Sequence, residues 1–122
     1  MIHLSRREFF RIVRQAYREL PSHVRDAMVN VDISVEDWPD RETSDLVEEG
    51  STLFGLYTGI PLTEREGVGN SLPDRIIIYR QPILRSCASQ EEAAREIRVT
   101  LIHEVGHCLG MSEADLHRMG YG

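Results

Sequence analysis

Apolar residues recur three and four positions apart from Phe9 to Leu20, at Phe9, Ile12, Val13, Ala16, Tyr17 and Leu20. That spacing predicts an amphipathic helix whose other side carries Arg7, Arg11, Arg14 and Arg18. Ser5 and Glu8 make a capping box at its start, and Pro21 ends it and opens a second short helix over about Ser22 to Met28. The period then falls to two. Val31, Ile33 and Val35 alternate with Asp32, Ser34 and Glu36, the signature of a half-buried strand that Trp38-Pro39-Asp40 ends. Thr52 to Tyr57 reads as a second strand, and Thr58 to Pro73 as a loop punctuated by Gly59, Pro61, Gly67, Gly69, Asn70 and Pro73. A third strand, Arg75 to Arg80, is predicted to be buried on both faces around Ile76-Ile77-Ile78 and to stop at Gln81-Pro82, because proline cannot donate to a ladder.

The last long helix is expected to begin at a second capping box, Ser89 to Glu92, and to run to about Leu109. Gly110 follows where a left-handed cap belongs, and Ser112 with Asp115 opens a final short helix ending near Gly120. Helices, then a small mixed sheet, then helices make the fold class α+β.

Composition narrows the function classes. At 122 residues, with 41% hydrophobic and 28% charged residues, the chain is expected to be one globular domain, residues 1–122. No apolar run approaches the roughly eighteen residues of a membrane span, and the first residues lack the apolar region of a signal peptide. Cys87 and Cys108 are too few for a disulfide scaffold. The expectation is a cytoplasmic monomer with no membrane partner. The net charge of −6 argues against a nucleic-acid partner held by phosphate contacts. Charge is unevenly spread: six Arg face three acids over residues 1–31, while eight acids face Arg41 alone over residues 32–50. All fourteen basic residues are Arg, which fits codon bias better than a recognition device, and the arginine face of the first helix reads as a solvated one.

The chemistry concentrates in His103-Glu104-Val105-Gly106-His107. Two imidazoles four residues apart on a helix stand on one face, close enough to share a metal ion, and the intervening glutamate can polarise a water beside it. The five-residue pattern alone arises by chance in roughly one such sequence in fifty. Three observations strengthen it. On the helical wheel His103 and His107 turn away from the apolar stripe of Ala94, Ile97, Leu101, Val105, Cys108 and Leu109, beside Glu96 and Thr100. Gly110 reverses the chain directly after the helix. Glu113, three residues on, could then bring a carboxylate back to the metal, with Asp115 or His117 as the alternative third donor.

The run from His103 to Glu113 resembles the extended H-E-x-x-H-x-x-G-x-x-(D/E/H) motif of short-spacer zincins. The segments Phe54 to Arg65, Leu72 to Arg80 and Leu116 to Tyr121 are similar to the small bacterial minimal zincin-like metallopeptidase family. The resemblance implies a compact zincin-like fold, one zinc ion held by His103, His107 and Glu113, and Glu104 as the general base. Glu113 departs from the more usual His or Asp at its position, yet remains an ordinary zinc ligand. Met119 lies where a residue could pack beneath the metal, as apolar filler does equally well. Cys108 falls on the apolar side and reads as a buried, inert thiol.

These residues point to a zinc-dependent hydrolase cleaving a peptide or protein substrate. The third strand is expected to be the sheet edge along which an extended peptide adds, and Tyr57, Tyr79 and Tyr121 are the candidates for stabilising an oxyanion. Two rivals come from other classes. A metal-dependent endoribonuclease would use H-x3-H-x5-H, with Glu113 at the third position, and the arginine face for RNA. A catalytically silent zincin-fold binding module would use the site only to support a partner surface.

Overall fold

The computed structural model describes residues 2–40, 53–59, 74–112 and 114. Its elements are α1 (Arg6–Arg18), α2 (Ser22–Ala27), β1 (Val31–Glu36), β2 (Gly55–Thr58), β3 (Asp74–Tyr79), α3 (Arg80–Ser86) and α4 (Gln90–Cys108). The Ser5–Glu8 capping box forms as expected: the Ser5 hydroxyl accepts from the Glu8 amide at 3.1 Å, and the Glu8 carboxylate accepts from the Ser5 amide. At α4 the Ser89 hydroxyl caps the Glu92 amide at 3.1 Å, but the Glu92 carboxylate reaches one residue further back, to the Ala88 amide at 2.9 Å. The expected final helix after Ser112 lies outside the described residues.

The three strands form a mixed sheet in the order β1-β3-β2, with β1 parallel and β2 antiparallel to β3. This corrects one expectation. β3 lies between β1 and β2, so it cannot be the edge that receives a peptide; among the described residues β1 and β2 are the edges. The three consecutive isoleucines explain why. Ile76 and Ile78 lie fully buried in the core beneath the helices, while Ile77 points to the other face and is also buried. A strand apolar on both faces belongs inside a sheet.

One sheet face is covered by α1 and α4. Phe9, Val13 and Ala16 of α1 and Ala93, Ile97, Leu101 and Val105 of α4 are buried there against Val35, Ile76 and Ile78. Burial of each larger side chain among them contributes about 1.5–3 kcal/mol.

A second correction concerns Pro82. It does not merely stop β3; it sits in the first turn of α3, where the amide that proline lacks has no helical acceptor in any case. The switch from strand to helix is anchored by Arg80. Its buried guanidinium donates from Nε to the Leu4 carbonyl at 3.1 Å and from Nη1 to Asp37 Oδ1 at 3.0 Å. The Gln81 amide also donates to the Asp37 carbonyl at 3.0 Å. The chain just past β1 is thereby tied to the start of α3.

Candidate functional site

α4 crosses the core face of the sheet beside the edge strand β2. The approach is close because residue 55 has no side chain. A Cβ on Gly55 would lie 2.7 Å from Thr100 Cγ2, 3.2 Å from Glu104 Cγ and 3.3 Å from the Ile77 carbonyl oxygen. Thr100 is buried at this contact, although the helical wheel sets it among the polar positions. A glycine within a strand is the sequence signal for such an approach, but its partner 45 positions away is not legible locally.

The junction of β2 and α4 opens into a cleft of about 370 Å³. His103, Glu104 and His107 line it together with Glu96, Val99 and Thr100 of α4 and Leu53, Phe54 and Gly55 of the β2 side. The two imidazoles predicted to share one helix face do so: their ring centroids are 6.2 Å apart, with the planes at 82°. Two imidazoles sharing one tetrahedral zinc would have centroids roughly 5 Å apart. Side-chain rotation closes that difference, so this pair of nitrogen donors fits the ion.

Glu104 turns into the same cleft and is far less exposed than His107, at 12% against 36% of the side chain. Its Oε1 lies 3.4 Å from His107 Nδ1. Burial raises the Glu104 pKa above its ordinary value, and His107, His103 and the Tyr57 backbone amide offset only part of the rise. A carboxyl in that setting holds a proton more readily than a surface glutamate does.

Directly after His107 the chain turns back through Gly110, whose φ of 83° is left-handed. The Gly110 amide donates to the His107 carbonyl at 3.0 Å and the Met111 amide to the Gly106 carbonyl at 2.8 Å. Together these bonds form the Schellman motif expected from the glycine. Glu113 and its alternatives Asp115 and His117 lie outside the described residues, as does Met119. Among the described residues, no three His, Cys, Asp or Glu side chains are grouped so as to hold a metal ion.

Two tyrosine candidates are accounted for elsewhere. The Tyr57 hydroxyl donates to Asp74 Oδ2 at 2.9 Å, and Tyr79 is buried. Tyr121 lies outside the described residues. Cys108 is fully buried on the core side, as its position on the wheel predicts. Cys87 is buried as well, and desolvation raises its thiol pKa.

The sequence model of the zincin-like metallopeptidases matches residues 28–122, from the end of α2 through the whole site. The chain belongs to this family. Its fold is also similar to the solved structure of a conserved hypothetical protein from Thermus thermophilus. That match has a TM-score of 0.61 and 22% sequence identity, and covers 87% of this chain and 94% of the other. No curated protein matches significantly. No helix among the described residues is long and apolar enough to cross a membrane. Zincin-like metallopeptidases are metal-dependent hydrolases as a class.

Proposed function

We propose that this protein is a zinc-dependent peptidase in which His103, His107 and Glu113 hold one zinc ion and Glu104 is the general base. The observation that carries the reading is the joint placement of His103, Glu104 and His107 in one cleft against the edge strand β2. Zinc, when bound, supplies a Lewis acid that lowers the pKa of a water molecule toward neutrality and polarises the scissile carbonyl. Glu104 accepts the proton of the attacking water on a carboxylate oxygen and passes it to the departing amine. Its desolvated setting brings its proton affinity closer to that task. His107 meets Glu104 through Nδ1, which leaves Nε2 as the ring's remaining donor atom. β2, at the rim of the cleft and an edge strand among the described residues, is where an extended substrate pairs by backbone hydrogen bonds.

The lining of the cleft favours a peptide over RNA. Among the described residues its lining includes Glu96 and Glu104 and no arginine, which disfavours a phosphodiester backbone, while the arginines of α1 line other grooves. A quenched-fluorescent peptide library, digested by zinc-loaded wild type and by Glu104→Gln, tests the proposal. Wild type is expected to cleave members of the library, and the variant to keep its zinc and lose at least about a hundredfold in rate. Full activity in a zinc-loaded Glu104→Gln protein overturns the mechanism.

A further inference from the structure

The arginine face of α1 takes no part in the cleft. Two acids of α1 and its cap offset it only in part: Glu8, in the Ser5 capping box, interacts with Arg11, and Glu19 pairs with Arg98 at 3.3 Å. Arg7, Arg11, Arg14 and Arg18 are all exposed, and none of them forms an ion pair among the described residues. In a chain of net charge −6 this is a concentrated positive surface.

It borders a groove of about 350 Å³ between α1 and β1. Val13, Val31 and Ile33 are apolar side chains at its base, Phe10 stands exposed beside it, and Arg14 and Arg18 supply its charge. The groove runs along a sheet edge, since among the described residues β1 is the outermost strand on the side opposite β2. At one end of β1 the Val35 carbonyl accepts from Arg6 Nη2 at 3.2 Å. By the two-residue alternation of a strand, the amide and carbonyl of Ile33 face the same outer side as the Val35 carbonyl. The other face of β1 carries Asp32 and Glu36, with Arg75 of β3 in register with Asp32 and paired with Glu36 at 3.6 Å, so that face offers a partner no free positive charge among these three residues.

From this combination we propose that the α1–β1 groove docks an extended, carboxylate-bearing protein segment. The segment adds to β1 as a further strand. Its side chains on the helix side alternate acidic and apolar, the acids meeting Arg14 and Arg18 and the apolar residue entering the groove. Its side chains on the opposite face are neutral, matching a face where Arg75 already pairs with Glu36. The surface is separate from the cleft of His103 and His107, so the proposal stands independently of the peptidase reading.

The test is a fluorescence-anisotropy titration of the full chain with a fluorescein-labelled Thr-Glu-Thr-Leu-Thr-Glu-Thr peptide. Saturable binding is expected, weakened about tenfold by Gln in place of the peptide's Glu and about tenfold by combined Arg14→Gln and Arg18→Gln. Both arginines are exposed, so the variant is expected to keep its helix content and melting temperature by circular dichroism. N-methylation of the peptide amides that face β1 is expected to abolish binding. The proposal is overturned by any of three results: no saturable binding up to about millimolar peptide, undiminished binding to the arginine variant, or undiminished binding of the N-methylated peptide. Displacement of the peptide by a single-stranded RNA of the same negative charge at equal or lower concentration assigns the face to nucleic acid and overturns it too.

Discussion

Replacing Gly55 by alanine probes the contact that seats α4 against β2. Ordinary carbon–carbon contact is about 3.5–4.0 Å, whereas the new Cβ would stand 2.7 Å from Thr100 Cγ2 and 3.2 Å from Glu104 Cγ. The helix and strand must therefore separate by close to 1 Å at this point, or Thr100 must leave its rotamer. Overpacking of this kind costs about 1–3 kcal/mol. Alanine returns about 0.4–1 kcal/mol by restricting the unfolded chain, where its backbone conformation is tolerated. The net expectation is a loss of about 1–2 kcal/mol, read as a lower urea midpoint with an unchanged slope. Thr100→Ser removes the methyl group responsible for the shortest contact, so the double variant should recover about half of that loss. The remainder persists because Glu104 Cγ and the Ile77 carbonyl still crowd the new Cβ. A Gly55→Ala protein as stable as wild type, or a double variant in which the two losses simply add, would refute the account of this junction.

Three further outcomes follow from the same structure. Ser89→Ala removes the cap of α4 and should cost about 1 kcal/mol in chemical denaturation. Arg80→Met strips the Leu4 carbonyl and Asp37 of a buried donor; because Asp37 is 40% exposed and can rehydrate, the expected loss is about 2–3 kcal/mol rather than more. In metal-free protein, Glu104 binds its proton more tightly when folded than when unfolded, since burial raises its pKa. Stability therefore falls as pH rises from the ordinary carboxylate range through the raised value. Glu104→Gln abolishes that slope, so denaturation in chelator should find the variant the more stable at pH 7, with the difference vanishing below about pH 4.

Local chemistry was legible wherever the signals lay within a few residues of one another. The Ser5–Glu8 box, the His103/His107 face and the left-handed Gly110 all follow from spacing, because helical geometry fixes neighbours three and four positions apart. Strand order was not legible, since the pairing of β3 between β1 and β2 is set by contacts far apart in sequence. The Ile76-Ile77-Ile78 run nevertheless carried the clue that β3 is central. Helix α3 is not legible from Pro82, because a proline that ends a strand is equally at home in the first turn of a helix. The seating of Glu104 depends on Gly55 meeting Thr100 across the core, and a helical wheel has no term for such a partner. Thr100 lines the cleft beside the histidines, as the wheel places it, and is in addition buried against Gly55, which the wheel does not show.

The central claim, that the imidazole pair of α4 holds zinc with the help of the chain beyond Gly110, is tested most directly by zinc content. Elemental analysis of untagged wild type, His107→Ala and Glu113→Ala is the measurement. The account predicts close to one zinc per chain in wild type and its loss in both variants. Wild-type protein that stays metal-free when zinc is supplied would contradict it, and so would a His107→Ala protein that retains full zinc.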